Sequence, residues 1–141
     1  MVYAVVIGRH RMLGVQLEEL RALGVAEMIQ VPKIDEDAIE GLVAEWAERG
    51  VRYVVIQALP LRLLDKLYKA SRRVGIDLLV AHMETVAMAR TREEAERLVA
   101  EKPEARTFVS APGDEYLRVI EHKGWMRIRR LEVELEPALG G

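Results

Sequence analysis

The sequence contains no cysteine and no asparagine, and only 5% of its 141 residues are aromatic. Without cysteine there is no thiolate nucleophile, no iron–sulfur cluster, no cysteine-ligated zinc and no disulfide framework. The fold must therefore rest on an apolar core, and 50% hydrophobic content over one domain's length suffices for that. Neither sign of charge dominates: 21 Lys/Arg against 23 Asp/Glu leave a net charge of −2. Such a chain has no broad electropositive footprint, so no duplex nucleic acid is expected as a partner. No apolar run approaches the roughly 18 residues of a membrane span. The opening MVYAVVIGRH has neither a basic leader nor a small-residue cleavage pattern. The expectation is a cytoplasmic protein with no membrane partner.

Two further scarcities shape the reading. Glutamine occurs only at positions 16, 30 and 57. Few Asn, Gln and Cys beside abundant Glu and Arg is the composition reported for thermophile proteins. Histidine occurs only at His10, His82 and His122, the side chains that titrate near neutral pH.

What is present is regularly punctuated. Gly24, Gly50 and Gly75 each stand between a helix-like segment and an apolar run. Glycine just past a helix end closes it in the left-handed conformation, which costs nothing without a Cβ. Val2–Ile7 and Val51–Leu59 are β-branched apolar runs, as expected of strands covered on both faces. Ala26–Ile34 and Ile76–Ala81 read as strands with more polar interruptions. Between them, Leu13/Leu17/Leu20/Leu23, Ile39/Leu42/Val43/Trp46 and Leu63/Leu67/Ala70/Val74 follow helical spacing. Asp35 and Pro60 are helix-start signals. The pattern predicts an α/β fold: a Rossmann-like parallel sheet of about four strands, in order 2-1-3-4, flanked by helices over residues 1–106. Thr91-Arg92-Glu93-Glu94 is a capping box opening a further helix to about Lys102. From Thr107 the apolar residues alternate in twos, with Lys123-Gly124 as a hairpin turn and Leu131, Val133 and Leu135 as a last run. Residues 107–141 are thus expected to form a C-terminal antiparallel β-hairpin extension.

In an open α/β sheet, ligands bind outside the carboxyl ends of the strands where strand order reverses. The first strand delivers Gly8-Arg9-His10-Arg11 to that edge, two guanidinium groups and an imidazole suited to an anion. Equally, these are the residues of a solvated loop. Gln57 ends the third strand, where its amide either reads a ribose or base or satisfies nearby backbone. His82 follows the fourth strand and could reach the same crevice; a structural histidine is the commoner reading. From Arg118 to Arg130 five Lys/Arg face one Glu, and His122, Trp125 and Arg127 make a candidate phosphate or nucleobase contact. The alternative is a hairpin of alternating basic residues paired with Glu132, Glu134 and Glu136. Gly8 and Gly14 are separated by five residues, so neither dinucleotide nor phosphate-loop glycine motif is present. Ser71 and Ser110 lie outside any nucleophile-elbow context. No metal-ligand spacing occurs, so no metal site and no cofactor are expected.

The strand ending Arg9-His10, the leucine-rich helix, Leu23-Gly24-Val25 and the strand closing Gln30-Val31-Pro32 together resemble the small stand-alone CRISPR-associated Rossmann-fold (CARF-like) proteins. Some of these are ring nucleases of antiviral defence. Gln57, and the stretch Val119-Ile120-Glu121-His122 with Trp125 to Arg127, add to the resemblance. The loop Ala58-Leu59-Pro60 and the helix from Thr91 depart from it. The resemblance implies a homodimer that binds a small nucleotide ligand, a cyclic oligoadenylate, across its two-fold axis. It also implies metal-independent cleavage by a ribose 2′-hydroxyl. Arg9, His10 and Arg11 would then be the catalytic residues facing phosphates, with Gly8 and Gln57 at the ligand. The alternative is a non-catalytic ligand-sensing or interaction domain of the same fold.

Overall fold

A computed structural model describes residues 2–110, 113 and 115–139. The chain runs β1 (Val2–Ile7), α1 (Gly14–Ala22), β2 (Val25–Val31), α2 (Ile39–Glu48), β3 (Val51–Ile56) and α3 (Leu61–Val74). It continues through β4 (Asp77–Ala89), α4 (Arg92–Ala100), β5 (Arg106–Val109) and β6 (Leu117–Arg127). The expected α/β alternation is present, and the strand order β2-β1-β3-β4-β6-β5 contains the anticipated 2-1-3-4. β1 and β3 pair in parallel, from Ala4 opposite Tyr53 to Ile7 opposite Ile56.

The glycine punctuation has the anticipated cause. Gly24, Gly50 and Gly75 take φ of 92°, 86° and 75°. At Gly75 the left-handed residue closes α3, donating its N–H to Ser71 O. Pro60 stands immediately before α3, and Thr91 Oγ1 accepts from Glu94 N at 3.1 Å to cap α4.

The sheet departs from the expectation in three places. It has six strands, not four, because β5 and β6 join the same sheet beside β4. β4 does not stop near Ala81 but continues to Ala89, since β6 lies alongside to take its backbone groups. His82 therefore sits mid-strand, not in a loop after it. Lys123-Gly124 is not a turn: β6 passes through it unbroken, with Gly124 at φ +148°. The antiparallel partner of β6 is β5, from Arg106 opposite Glu121 to Val109 opposite Arg118. Leu131, Val133 and Leu135 keep their alternation but form no strand.

The chain forms two compact units. One comprises residues 1–9, 27–79 and 127–141. Its core is Val5, Ile7, Val43, Trp46, Val54 and Leu67, all buried, with α2 and α3 packed on one another. The other comprises residues 10–26 and 80–126, where Ala89, Ala95 and Val119 are buried among Leu98, Val99, Phe108 and Leu117.

Candidate functional site

In the first unit, the ends of β1 and β3 meet at the reversal of strand order. Gln57 N donates to Ile7 O at 3.0 Å, carrying the β1–β3 ladder one residue past Ile56. Gly8 N donates to Val31 O at 3.0 Å, and Gln30 Nε2 donates to Gly8 O at 2.9 Å. Gly8 has φ +139°, and a Cβ there would stand 2.6 Å from Gln57 Oε1. Only glycine suits both the backbone angle and that approach. Gly8 is thus buried and tied on both sides, with Gln57 laid against it. Immediately beyond, Arg9 is exposed, and its side chain has no ion-pair or hydrogen-bonding partner among the described residues. His10 and Arg11, the next two residues along the chain, belong to the second unit and are also exposed.

The second unit brings His122 and Trp125 together, with two residues that sequence reasoning missed, Gln16 and Glu19. Gln16 sits in the first turn of α1, where its Oε1 accepts from Leu13 N at 2.9 Å. That bond orients the amide so that its Nε2 faces His122 Nδ1 at 3.3 Å. An NH2 group only donates, so Nδ1 accepts and the neutral ring carries its proton on Nε2. Nε2 lies 3.2 Å from Glu19 Oε1, off the line of a straight hydrogen bond. Glu19 Oε2 also accepts from Trp125 N at 3.1 Å, and Trp125 Nε1 donates to Gln16 O at 3.0 Å. The imidazole and indole rings meet edge-on, centroids 5.3 Å apart. Burial pushes the His122 pKa below the ordinary histidine value, and the Glu19 carboxylate opposes that. Its side chain has no exposed surface, so at neutral pH it is an uncharged group tying β6 to α1.

Glu121, the next residue back, points into a cationic cluster. Lys123 Nζ at 2.5 Å and Arg106 Nε at 2.9 Å hold its carboxylate, with Lys102 Nζ at 3.7 Å. The hydrogen bonds from Lys123 and then Arg106 bring its pKa down to about 2 against the opposing effect of burial. Lys123 is therefore spent on a carboxylate and is not a free phosphate ligand. His82 lies on exposed strand, Nε2 3.4 Å from Glu84 Oε1. Arg127 belongs to the first unit, 3.3 Å from Asp77 Oδ2. Within the basic stretch from Arg118 to Arg130, Lys123, Arg127 and Arg130 are thus each paired with a separate local carboxylate.

No group of three or more His, Asp or Glu side chains that could hold a metal ion occurs among the described residues. None of their helices is long and apolar enough to cross a membrane.

No protein-family model matches the chain, and no curated protein matches it. One solved structure, a solution structure of a phosphate-loop protein, is similar at 22% identity with a TM-score of 0.35. The match covers 72% of this chain and 88% of that one. A TM-score that low does not relate the two folds.

Proposed function

We propose that the protein binds a nucleotide phosphate at the C-terminal edge of β1 and β3, with Arg9 as the cation that meets it. The observation that carries this reading is the arrangement around Gly8. Gln30 ties the root of the loop, Gln57 lies against it, and the residue it presents is an arginine with no partner among the described residues. A guanidinium in that position contributes little to the fold and is available to a phosphate oxygen pair. The order β2-β1-β3 supports it too, since the edge where order reverses is the usual ligand position.

The CARF-like resemblance adds the ligand, a cyclic oligoadenylate held by a homodimer, and the reaction. In that reaction a ribose 2′-oxygen bonds to the adjacent phosphorus while the bond to the 5′-oxygen breaks. The 2′-proton leaves to a base, and the 5′-oxygen gains a proton. The products are linear strands ending in a cyclic 2′,3′-phosphate. By that resemblance Arg9 and Arg11 would balance the charge on phosphorus, with His10 standing between them in the sequence. His122 has no exposed side-chain surface and its Nδ1 accepts from Gln16 Nε2, so it does not serve as the proton carrier.

A second reading is a sensor that binds without cleaving. It asks only for the Arg9 cation at the Gly8–Gln57 edge and for no proton transfer. Purified full-length protein incubated with cyclic tetra-adenylate and a metal chelator separates the readings. Linear products lost in Arg9→Ala support the nuclease, binding lost in Arg9→Ala without turnover supports the sensor, and neither binding nor turnover overturns both.

A further inference from the structure

In the first unit, the chain after β6 runs beside the end of α3 and leaves a concave site there. Ile128 N donates to Leu78 O at 2.9 Å. Tyr68 Oη donates to Arg129 O at 3.3 Å, and Arg72 Nη1 reaches the same carbonyl at 3.3 Å. Between these anchors is a cavity of about 220 Å³ lined by Tyr68, Arg72, Asp77, Arg127 and Arg129, with apolar side chains beneath. Three arginines and one aspartate are among the residues that line it.

The charges do not cancel. Arg127 is matched by Asp77 at 3.3 Å. Arg72 is held by neutral groups, the Tyr68 hydroxyl and a backbone carbonyl. The Arg129 side chain has no partner among the described residues. Among the described residues, two positive charges remain without a counter-charge at a concave site. The negative end of α3 points the same way, but the Gly75 and Ile76 N–H groups already occupy Ser71 O. The cavity is also smaller than the roughly 300–1,000 Å³ of pockets that take drug-sized ligands, too small for a whole nucleotide.

We propose that this cavity binds a small dianionic phosphate, inorganic or a short monoester, with Arg129 and Arg72 as its cationic ligands. The Tyr68 ring and the apolar floor leave room for a short organic tail, and the doubly charged head matches the two unmatched guanidinium groups.

The test is an amide NMR titration of the full chain, following Gly75, Asp77 and Arg129, with sodium chloride at matched ionic strength as control. Inorganic phosphate and glycerol phosphate are expected to give saturable shifts at these three amides, and whichever binds tighter identifies the source. Dimethyl phosphate, a monoanion, is expected not to saturate them. Arg129→Ala, an exposed substitution, is expected to weaken binding about tenfold or more, and Arg127→Ala to weaken it by unmasking Asp77. Shifts at Gly8 and Arg9 would report the β1 edge separately. The proposal is overturned by absent saturation at the three amides, by equal shifts from chloride or dimethyl phosphate, or by unchanged affinity in Arg129→Ala.

Discussion

Gly8 and Gln57 occupy one shared space: a Cβ on Gly8 would stand 2.6 Å from Gln57 Oε1 and 2.7 Å from Gln57 Cβ. The close approach sets the residue just past β1 against the residue just past β3, and the arginine that follows is delivered from a fixed root.

Gly8→Ala is therefore expected to destabilise the protein by roughly 1–3 kcal/mol, through backbone strain and overlap together. Gln57→Ala in the same chain should not restore stability, because the Gln57 Cβ remains in the way. Urea denaturation of the two variants measures both effects, and a Gly8→Ala protein as stable as the parent would contradict the geometry.

Arg9→Ala should behave in the opposite manner. An exposed side chain without a partner contributes within about 0.5 kcal/mol to stability, so melting should be unaltered while affinity for the nucleotide falls. Equal losses of stability and affinity would mark Arg9 as structural.

His122 sets a pH dependence with a definite sign. Its folded pKa lies below the ordinary 6.5. As pH falls through that value the unfolded chain takes up a proton before the folded one does, so stability declines. The slope from this group is at most about 1.4 kcal/mol per pH unit, and it flattens once the folded ring is protonated. The charged neighbours that bear on it are Glu19, which eases protonation, and His82, which opposes it. In His122→Gln the decline just below 6.5 should be reduced, as read from urea midpoints across that range.

Glu121 acts further down the scale. A carboxyl lowered from 4.5 to about 2 stabilises the fold above 4.5, and that contribution is lost as pH falls toward 2. Glu121→Gln should make the protein less stable at neutral pH and less sensitive to acid in that window. Acid titration followed by circular dichroism compares the two; identical acid profiles would mean the cluster around Arg106 contributes nothing.

Thr91→Ala removes the hydroxyl that accepts from Glu94 N and is expected to cost about 1 kcal/mol.

The sequence disclosed the parts of the fold that rest on local chemistry. Gly24, Gly50 and Gly75 marked helix ends because only glycine takes that backbone angle cheaply, and Thr91 marked a helix start by its hydroxyl. The Gly8–Arg9 edge followed from strand order. What stayed hidden depends on partners distant in the chain. Met83 to Met88 has only Thr85 and Val86 as β-branched residues, and it is strand because β6 lies beside it. Gly124 reads as a turn residue until one sees Glu19 opposite it, reaching Trp125 N. Gln16 and Glu19 look like an ordinary polar helix face, and only the return of β6 gives them an imidazole to hold. Arg72 and Arg129 are far apart in sequence and meet only where Arg72 reaches the Arg129 carbonyl beside the cavity.

The edge-on approach of His122 to Trp125 makes the protein its own optical probe. An imidazolium quenches indole emission far more than a neutral ring does, so the fluorescence of Trp125 tracks the protonation of its neighbour. The other tryptophan, Trp46, is buried in the first unit; with it replaced by phenylalanine, emission becomes a single-residue pH meter reading the α1–β6 junction directly.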